Sequence, residues 1–111
     1  MLILIVLKTK YHIMLSERNE ILELKIYVQL SKYRERTLKA IGNEIKVPSK
    51  IANDSNIRIN HISNVLRQLK NKNIVECMNE DAHKGRLYRL TPTGKEILKS
   101  IEKDEKKINS N

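Results

Sequence analysis

Through residues 57–73 the apolar side chains fall at Ile59, Ile62, Val65, Leu66 and Leu69, steps of three and four that draw one stripe along a helix. The other positions, Arg58, Asn60, His61, Ser63, Asn64, Arg67, Lys70 and Asn71, form a polar face. Upstream, Ser31 is placed to cap a helix whose inner stripe is Tyr33, Thr37, Leu38 and Ile41, and Gly42-Asn43 stops it. Arg34, Arg36 and Lys39 make the outer side of that helix basic. Glu44 to Val47 reads as extended, and Pro48 stands where the first residue of a helix belongs. The brief helix from Pro48 to Asp54 buries Ile51 and Ala52. Asp54-Ser55-Asn56 is turn chemistry, since asparagine tolerates the left-handed backbone of a tight turn between helices. A short helix, a tight turn and a longer polar-faced helix together predict a helix-turn-helix unit.

The pattern then changes. Ile74 to Asn79 reads as a strand, Glu80 to Gly85 as a loop with a glycine at its bend, and Arg86 to Thr91 as a second strand with Tyr88 and Leu90 on one face. Two strands joined by a basic-tipped loop predict a β-hairpin wing. Thr91 caps a last helix that begins at Pro92 and has Ile97, Leu98 and Ile101 as its apolar edge. Beyond Glu102 the chain is charged and polar and is expected to fray. The expected fold is α+β, mainly α: a three-helix core, a two-stranded wing and a closing helix. Residues 31–101 form this domain, with no internal repeat or linker; residues 1–30 are an N-terminal extension and residues 102–111 a tail.

Two readings of residues 1–7, MLILIVL, stand side by side. They form a short strand packed on the domain, or translation starts at Met14. Seven apolar residues fall short of the roughly 20 that a helix needs to span a bilayer, and no basic stretch or cleavage signal frames them as a secretory leader. In residues 22–30, Leu22, Leu24, Ile26, Val28 and Leu30 alternate with Glu23, Lys25, Tyr27 and Gln29, which is strand periodicity. Glu, Leu and Lys are also good helix formers, and Ser16 is placed to cap a helix here. The alternation favours a strand for the second half.

Composition narrows the function. The net charge is +9 and the pI about 9.8, which favours a polyanionic partner. From Ser55 through Val75 there is no acidic residue, although 13 Asp and Glu stand elsewhere in the chain. Phe and Trp are absent, so the core must come from Ile, Leu and Val. The single Cys77 excludes an internal disulfide, fits a reducing cytoplasm and reads as a small buried hydrophobe. His12, His61 and His83 are scattered, with no metal-ligand spacing. No nucleophile–base constellation, paired carboxylates or phosphate-cradling glycine loop appears, so neither an enzyme nor a cofactor is expected.

Tyr27-Val28, Ser31 to Arg34, Val47 to Ala52, His61 to Leu66, Val75-Glu76 and Lys84 to Gly94 together resemble archaeal winged helix-turn-helix transcriptional regulators, relatives of the MarR and ArsR-like proteins. The resemblance covers about residues 26–101 and is most specific at Gly85-Arg86-Leu87-Tyr88-Arg89-Leu90-Thr91 with Gly94. Three positions depart from the pattern: Val47 and Arg58 stand where Ser or Thr caps are usual, and Asn56 replaces a turn glycine. The missing cap at Val47 should cost that helix about 1 kcal/mol. A cation at residue 58 opposes the helix dipole, a small cost that is easier to understand if Arg58 meets a phosphate.

The resemblance implies sequence-specific binding of double-stranded DNA in the cytoplasm, with helix 58–73 in the major groove and the basic wing 81–86 on the backbone or minor groove. Asn60, His61, Ser63, Asn64 and Arg67 would then read bases, Asn by bidentate bonds to adenine and Arg to guanine. The competing reading of His61 is packing against the preceding helix. Ser49, Lys50 and Arg58 are candidates for phosphate contacts, as are His83, Lys84 and Arg86 in the wing. A homodimer is expected, joined through the apolar edge of the last helix or the residues before Ser31. The alternative function is a winged-helix protein-interaction adaptor in transcription machinery, against which the acid-free stretch argues. RNA binding is weaker, for want of an exposed stacking aromatic. No membrane partner is expected, and no effector site is visible; sensing metal through clustered thiolates is beyond one cysteine.

Overall fold

In the computed structural model, which describes the backbone of residues 2–109 and the side chains of residues 16–109, the order of elements is helix α1 (Leu2–Gln29), α2 (Lys32–Ile41), α3 (Pro48–Ser55), α4 (Ile59–Asn71), strands β1 (Val75–Cys77) and β2 (Tyr88–Leu90), and helix α5 (Pro92–Asn109). Five helices and one antiparallel hairpin make the mainly helical α+β fold that the pattern predicts. The hairpin pairs Val75 with Leu90, Glu76 with Arg89 and Cys77 with Tyr88. A third extended piece joins it at Lys46, which exchanges backbone hydrogen bonds with Tyr88 at 2.9 and 2.8 Å.

The strand expected in residues 22–30, and the strand reading of residues 1–7, are corrected: the backbone is helical from Leu2 to Gln29. The choice between Met1 and Met14 as first residue lies outside the described side chains. The alternation misled because it selects residues from opposite sides of a helix. Ile21, Leu24 and Val28, at helical steps, pack on the core, whereas Leu22, Ile26 and Leu30 face solvent. A helix satisfies its own backbone hydrogen bonds, and an isolated strand here would have had no partner. Ser31 then caps α2, its hydroxyl accepting from the Arg34 N–H at 3.3 Å.

The core is aliphatic, as composition requires. Leu38 and Ile41 of α2, Ile51 of α3, Ile62, Leu66 and Leu69 of α4, and Ile97 and Ile101 of α5 are all but fully buried around Val28, Ile74 and Leu90. Tyr33, expected on the inner stripe of α2, is exposed instead, because it sits on the side that meets α4's first turn rather than the core. Gly42 closes α2 with φ +56°, a backbone conformation that glycine adopts without strain.

The last helix departs from expectation at its end. It continues past Glu102 to Asn109, where the sequence suggested a fraying tail. Asp104 pairs with Lys25 of α1 and Glu105 with Lys39 of α2, so the polar segment is tied to two neighbours. Lys106 and Lys107 in the last turn also complement the helix dipole. The Lys25 ammonium holds the Asp104 carboxyl below its ordinary pKa, and Glu105 raises that of Lys39.

Thr91 and Gly94 fasten the start of α5 to the end of α4. The Thr91 N–H donates to the Ile74 carbonyl at 3.0 Å, and its hydroxyl lies 2.7 Å from the Asn73 carbonyl and accepts from the Gly94 N–H at 3.0 Å. A Cβ on Gly94 would stand 2.2 Å from the Ile74 carbonyl oxygen.

Gly94→Ala is therefore expected to lower stability by about 3 kcal/mol or more, read as a lower urea midpoint. Thr37→Val should do the opposite, by about 1 kcal/mol, because Thr37 is buried with a hydroxyl that has no partner among the described residues. The depressed Asp104, paired with Lys25, contributes stability that is present above the ordinary carboxylate range and lost as pH falls through its folded value. Urea melts should accordingly hold level near neutrality and weaken below about pH 4, and Asp104→Asn should flatten part of that decline.

Candidate nucleic-acid interface

α3, its turn and α4 are set by backbone chemistry at the corner. Val47 gives α3 no side-chain cap, and Pro48 occupies its first turn, as expected. Asn56 adopts the left-handed conformation (φ 56°, ψ 44°), and Ile57 is buried as the chain enters α4. Arg36 of α2 locks this corner. Its guanidinium donates to the Ser55 carbonyl at 2.6 and 3.1 Å and to the Asn56 carbonyl at 2.7 Å, which satisfies the exposed end of α3.

Arg34 makes a second internal clasp. It donates to the Tyr27 carbonyl at 2.6 and 2.9 Å, stacks on the Tyr27 ring at 3.9 Å and reaches Gln68 of α4 at 3.3 Å. The end of α1 is thereby tied to the middle of α4. Lys39, with Glu35 and Glu105 beside it, is occupied too. The basic outer side that the sequence assigns to α2 is mostly spent inside the molecule.

On α4 the exposed face carries Asn60, Ser63, Asn64 and Arg67, with Asn60 and Asn64 one turn apart. Ser63 bonds back to the Ile59 carbonyl at 3.4 Å. His61 is exposed, and its ring centroid lies 5.6 Å from that of Tyr33 on α2, a contact with α2 rather than with the preceding helix α3. Arg58 precedes the helix with no capping bond and no ion pair among the described residues. One expectation fails: Ile59, counted in the buried stripe, is half exposed, because the core lies beneath Ile62, Val65, Leu66 and Leu69 and the first turn overhangs it.

At the start of α3, Ser49 and Lys50 are exposed, and Lys50 lies 3.3 Å from Asp54. Lys46 meets the same carboxylate at 2.8 Å and holds it below its ordinary pKa. In the wing, Asn79 does the shaping. Its amide donates to the Gly85 carbonyl at 3.1 Å and its oxygen accepts from the Leu87 N–H at 2.7 Å, closing the loop around Gly85, whose φ is +68°. Arg86 turns inward, donating to the Ala82 and Glu80 carbonyls at 2.9 and 3.3 Å. His83 and Lys84 at the tip stay exposed.

Between α4 and the wing runs a cleft of about 350 Å³ lined by Ser63, Arg67, Lys70, His83 and Arg86 together with apolar side chains. Glu80 crosses its edge to Lys70; the contact raises the lysine pKa and lowers that of the carboxyl. The cleft is cationic, open on one side and continuous with the polar face of α4. It suits a strand of phosphates better than a small neutral molecule. Among the described residues no cluster of three or more His, Cys, Asp or Glu is arranged to hold a metal, and Cys77 is half-buried beside Asn79.

The structure thus brings Ser63, Arg67 and His83 around one cleft; Asn60 and Asn64 are exposed on the same helix, and Lys84 is exposed next to His83 in the wing. Lys50 and Arg86 are diverted by internal partners. Sequence reasoning missed Arg34, Arg36 and Asn79, which position the site without belonging to its surface. An asparagine just before a glycine loop carried a signal for Asn79; the two arginines carried none.

The model for a winged helix-turn-helix family matches residues 35–109. No curated protein matches the sequence of the chain. Among solved structures, the MarR family transcriptional regulator SPO1453 from Silicibacter pomeroyi DSS-3 superposes with a TM-score of 0.62 at 14% identity, over 90% of this chain and 74% of that one. The S. aureus MepR–DNA complex gives 0.63 at 14% identity, over 91% and 86%. A mutant of Lactococcus lactis ZitR in its apo form gives 0.57 at 17% identity, over 94% and 76%.

Removing either clasp should be measurable. Arg36→Ala is expected to lower stability by about 2 kcal/mol, since three charge-assisted bonds to two carbonyls are lost at once. Thermal melts check this. Arg36→Lys should recover only part of the loss, because an ammonium cannot reproduce the guanidinium fork.

Proposed function

The chain belongs to the winged helix-turn-helix family, and from that membership we propose that it is a transcriptional regulator that binds double-stranded DNA with α4 in the major groove. The observation that carries this reading is the polar face of α4: Asn60, Ser63, Asn64 and Arg67 exposed together on an acid-free helix, beside a cationic cleft that leads to the wing tip. An absence of carboxylates removes repulsion from phosphate, and Asn and Arg are the side chains that pair bidentately with adenine and guanine. MepR, a neighbour in fold, is a protein solved with DNA.

In this reading Asn60, Ser63, Asn64 and Arg67 read base edges, and His61 stands at the flank, held by Tyr33. Arg58, Ser49, Lys84 and His83 meet phosphates. Lys50 does so by leaving Asp54. Arg86 acts mainly by shaping the wing. The regulator acts in the cytoplasm, and the resemblance of the sequence supports an archaeal origin.

It binds as a homodimer, with half-sites about 34 Å apart. The expected dimer surface narrows: Ile97, Leu98 and Ile101 are buried in their own domain, whereas Leu22 and Ile26 of α1 and Leu30 just beyond its end, at four-residue steps, are 55%, 49% and 77% exposed. Those three residues are the contact we assign to the partner copy.

A salt series of binding to duplex DNA tests the reading. Lys84→Ala should weaken binding about equally on all sequences and reduce the slope of log affinity against log salt by about 1. It is preferred to Arg86→Ala, which would also undo the wing's own hydrogen bonds. Asn64→Ala should cost about 1–3 kcal/mol on the best duplex selected from a random pool and relax its sequence preference. Weak binding at low salt, unchanged by either substitution, would reject DNA as the partner and point to a protein.

A further inference from the structure

Ile59 is the first residue of α4 and is 51% exposed, while the nearest isoleucines on either side, Ile57 and Ile62, are 5% and 0% exposed. The core does not need this side chain. Helix initiation does not need it either, since a β-branched residue has no advantage in an exposed first turn. The residue before it, Arg58, supplies no side-chain cap. Neither of these two successive positions at the start of the helix is explained by capping or by the core. Single exposed apolar residues are common on protein surfaces; this one stands at the head of the face that carries Asn60, Ser63, Asn64 and Arg67. Ser63 lies one turn on, bonded back to the Ile59 carbonyl, and Ser63, Arg67 and Lys70 continue the same edge along the cleft.

We propose that Ile59 is a specificity-determining residue that receives the C5-methyl group of a thymine in the major groove. The inference rests on the DNA-binding reading above. Among the four standard bases only thymine presents a methyl group there, and it is read by apolar contact rather than by hydrogen bonds. The methyl projects at the backbone side of the groove floor. A side chain at the edge of the helix face, such as Ile59, meets that position more readily than one at its centre. The polar residues of α4 hold donors and acceptors suited to adenine and guanine. Ile59 supplies the apolar contact that they lack.

The test uses the full chain and the duplex of highest affinity selected from a random pool. Each thymine of that duplex is replaced in turn by deoxyuridine, which removes the methyl and leaves every hydrogen-bonding group in place. Wild type should lose affinity about fourfold at one thymine in each half-site, the effect of removing one methyl from an apolar contact. Ile59→Ala should bind the thymine and deoxyuridine duplexes at that position equally, and Ile59→Val should retain part of the preference. Because Ile59 is half exposed, unchanged thermal melting of Ile59→Ala keeps the comparison free of folding effects. A wild type indifferent to every replacement, or a preference that persists in Ile59→Ala, would overturn the assignment and leave DNA binding intact. Failure of any duplex to be selected would overturn the DNA reading itself, and this assignment with it.

Discussion

The carbonyl of Ile74 is the point on which the arrangement of this domain turns. It accepts from the Thr91 N–H where the wing returns to the body, and Gly94 passes so close to it that a methyl group would not fit. Three parts of the chain meet there: the exit from α4, the second wing strand and the first turn of α5. Thr91 completes the junction by holding the Asn73 and Ile74 carbonyls and the Gly94 N–H with a single hydroxyl. The return of the wing to the body and the start of α5 are thus held to the exit from α4 by backbone contact and one hydroxyl.

The arginines around the helix-turn-helix corner and the exposed cations near it have different partners. Arg34 and Arg36 spend their guanidinium groups on backbone carbonyls, where the planar fork satisfies helix ends that would otherwise be unpaired. Arg58, Arg67 and Lys84 remain exposed, with no ion pair among the described residues. Part of the positive charge among the described residues therefore holds the corner and the end of α1 in place, and Arg58, Arg67 and Lys84 keep theirs at the surface. Arg34 links the end of α1 to α4, since it bonds to the Tyr27 carbonyl and to Gln68.

Much of this was legible from local chemistry. The caps at Ser31 and Thr91, the proline at the start of α3, the left-handed Asn56 and the glycine bend of the wing each depend on a residue's own backbone preferences, which tertiary packing did not override. The apolar stripe of α4 was legible for the same reason at Ile62, Val65, Leu66 and Leu69. It misplaced Ile59, because periodicity assigns a residue to a face and does not say where along the axis the core ends. Residues 22–30 failed in a related way: alternation and helical periodicity overlap in a short apolar segment, and only the presence of α5 and the absence of a neighbouring strand decide between them.

The sequence by itself determined the order of the core elements, the helix-turn-helix corner, the wing and the acid-free polar face, since these rest on residue type and spacing within a few positions of one another. Tertiary structure alone decided which charges are available. Arg36 meets Ser55, Lys25 meets Asp104 and Lys70 meets Glu80 across separations that no local pattern encodes. It also decided which apolar residues are left over. Burial depends on what packs above a surface: the apolar edge of α5 is covered by its own domain, and Leu22, Ile26 and, just past α1, Leu30 stay exposed among the described residues.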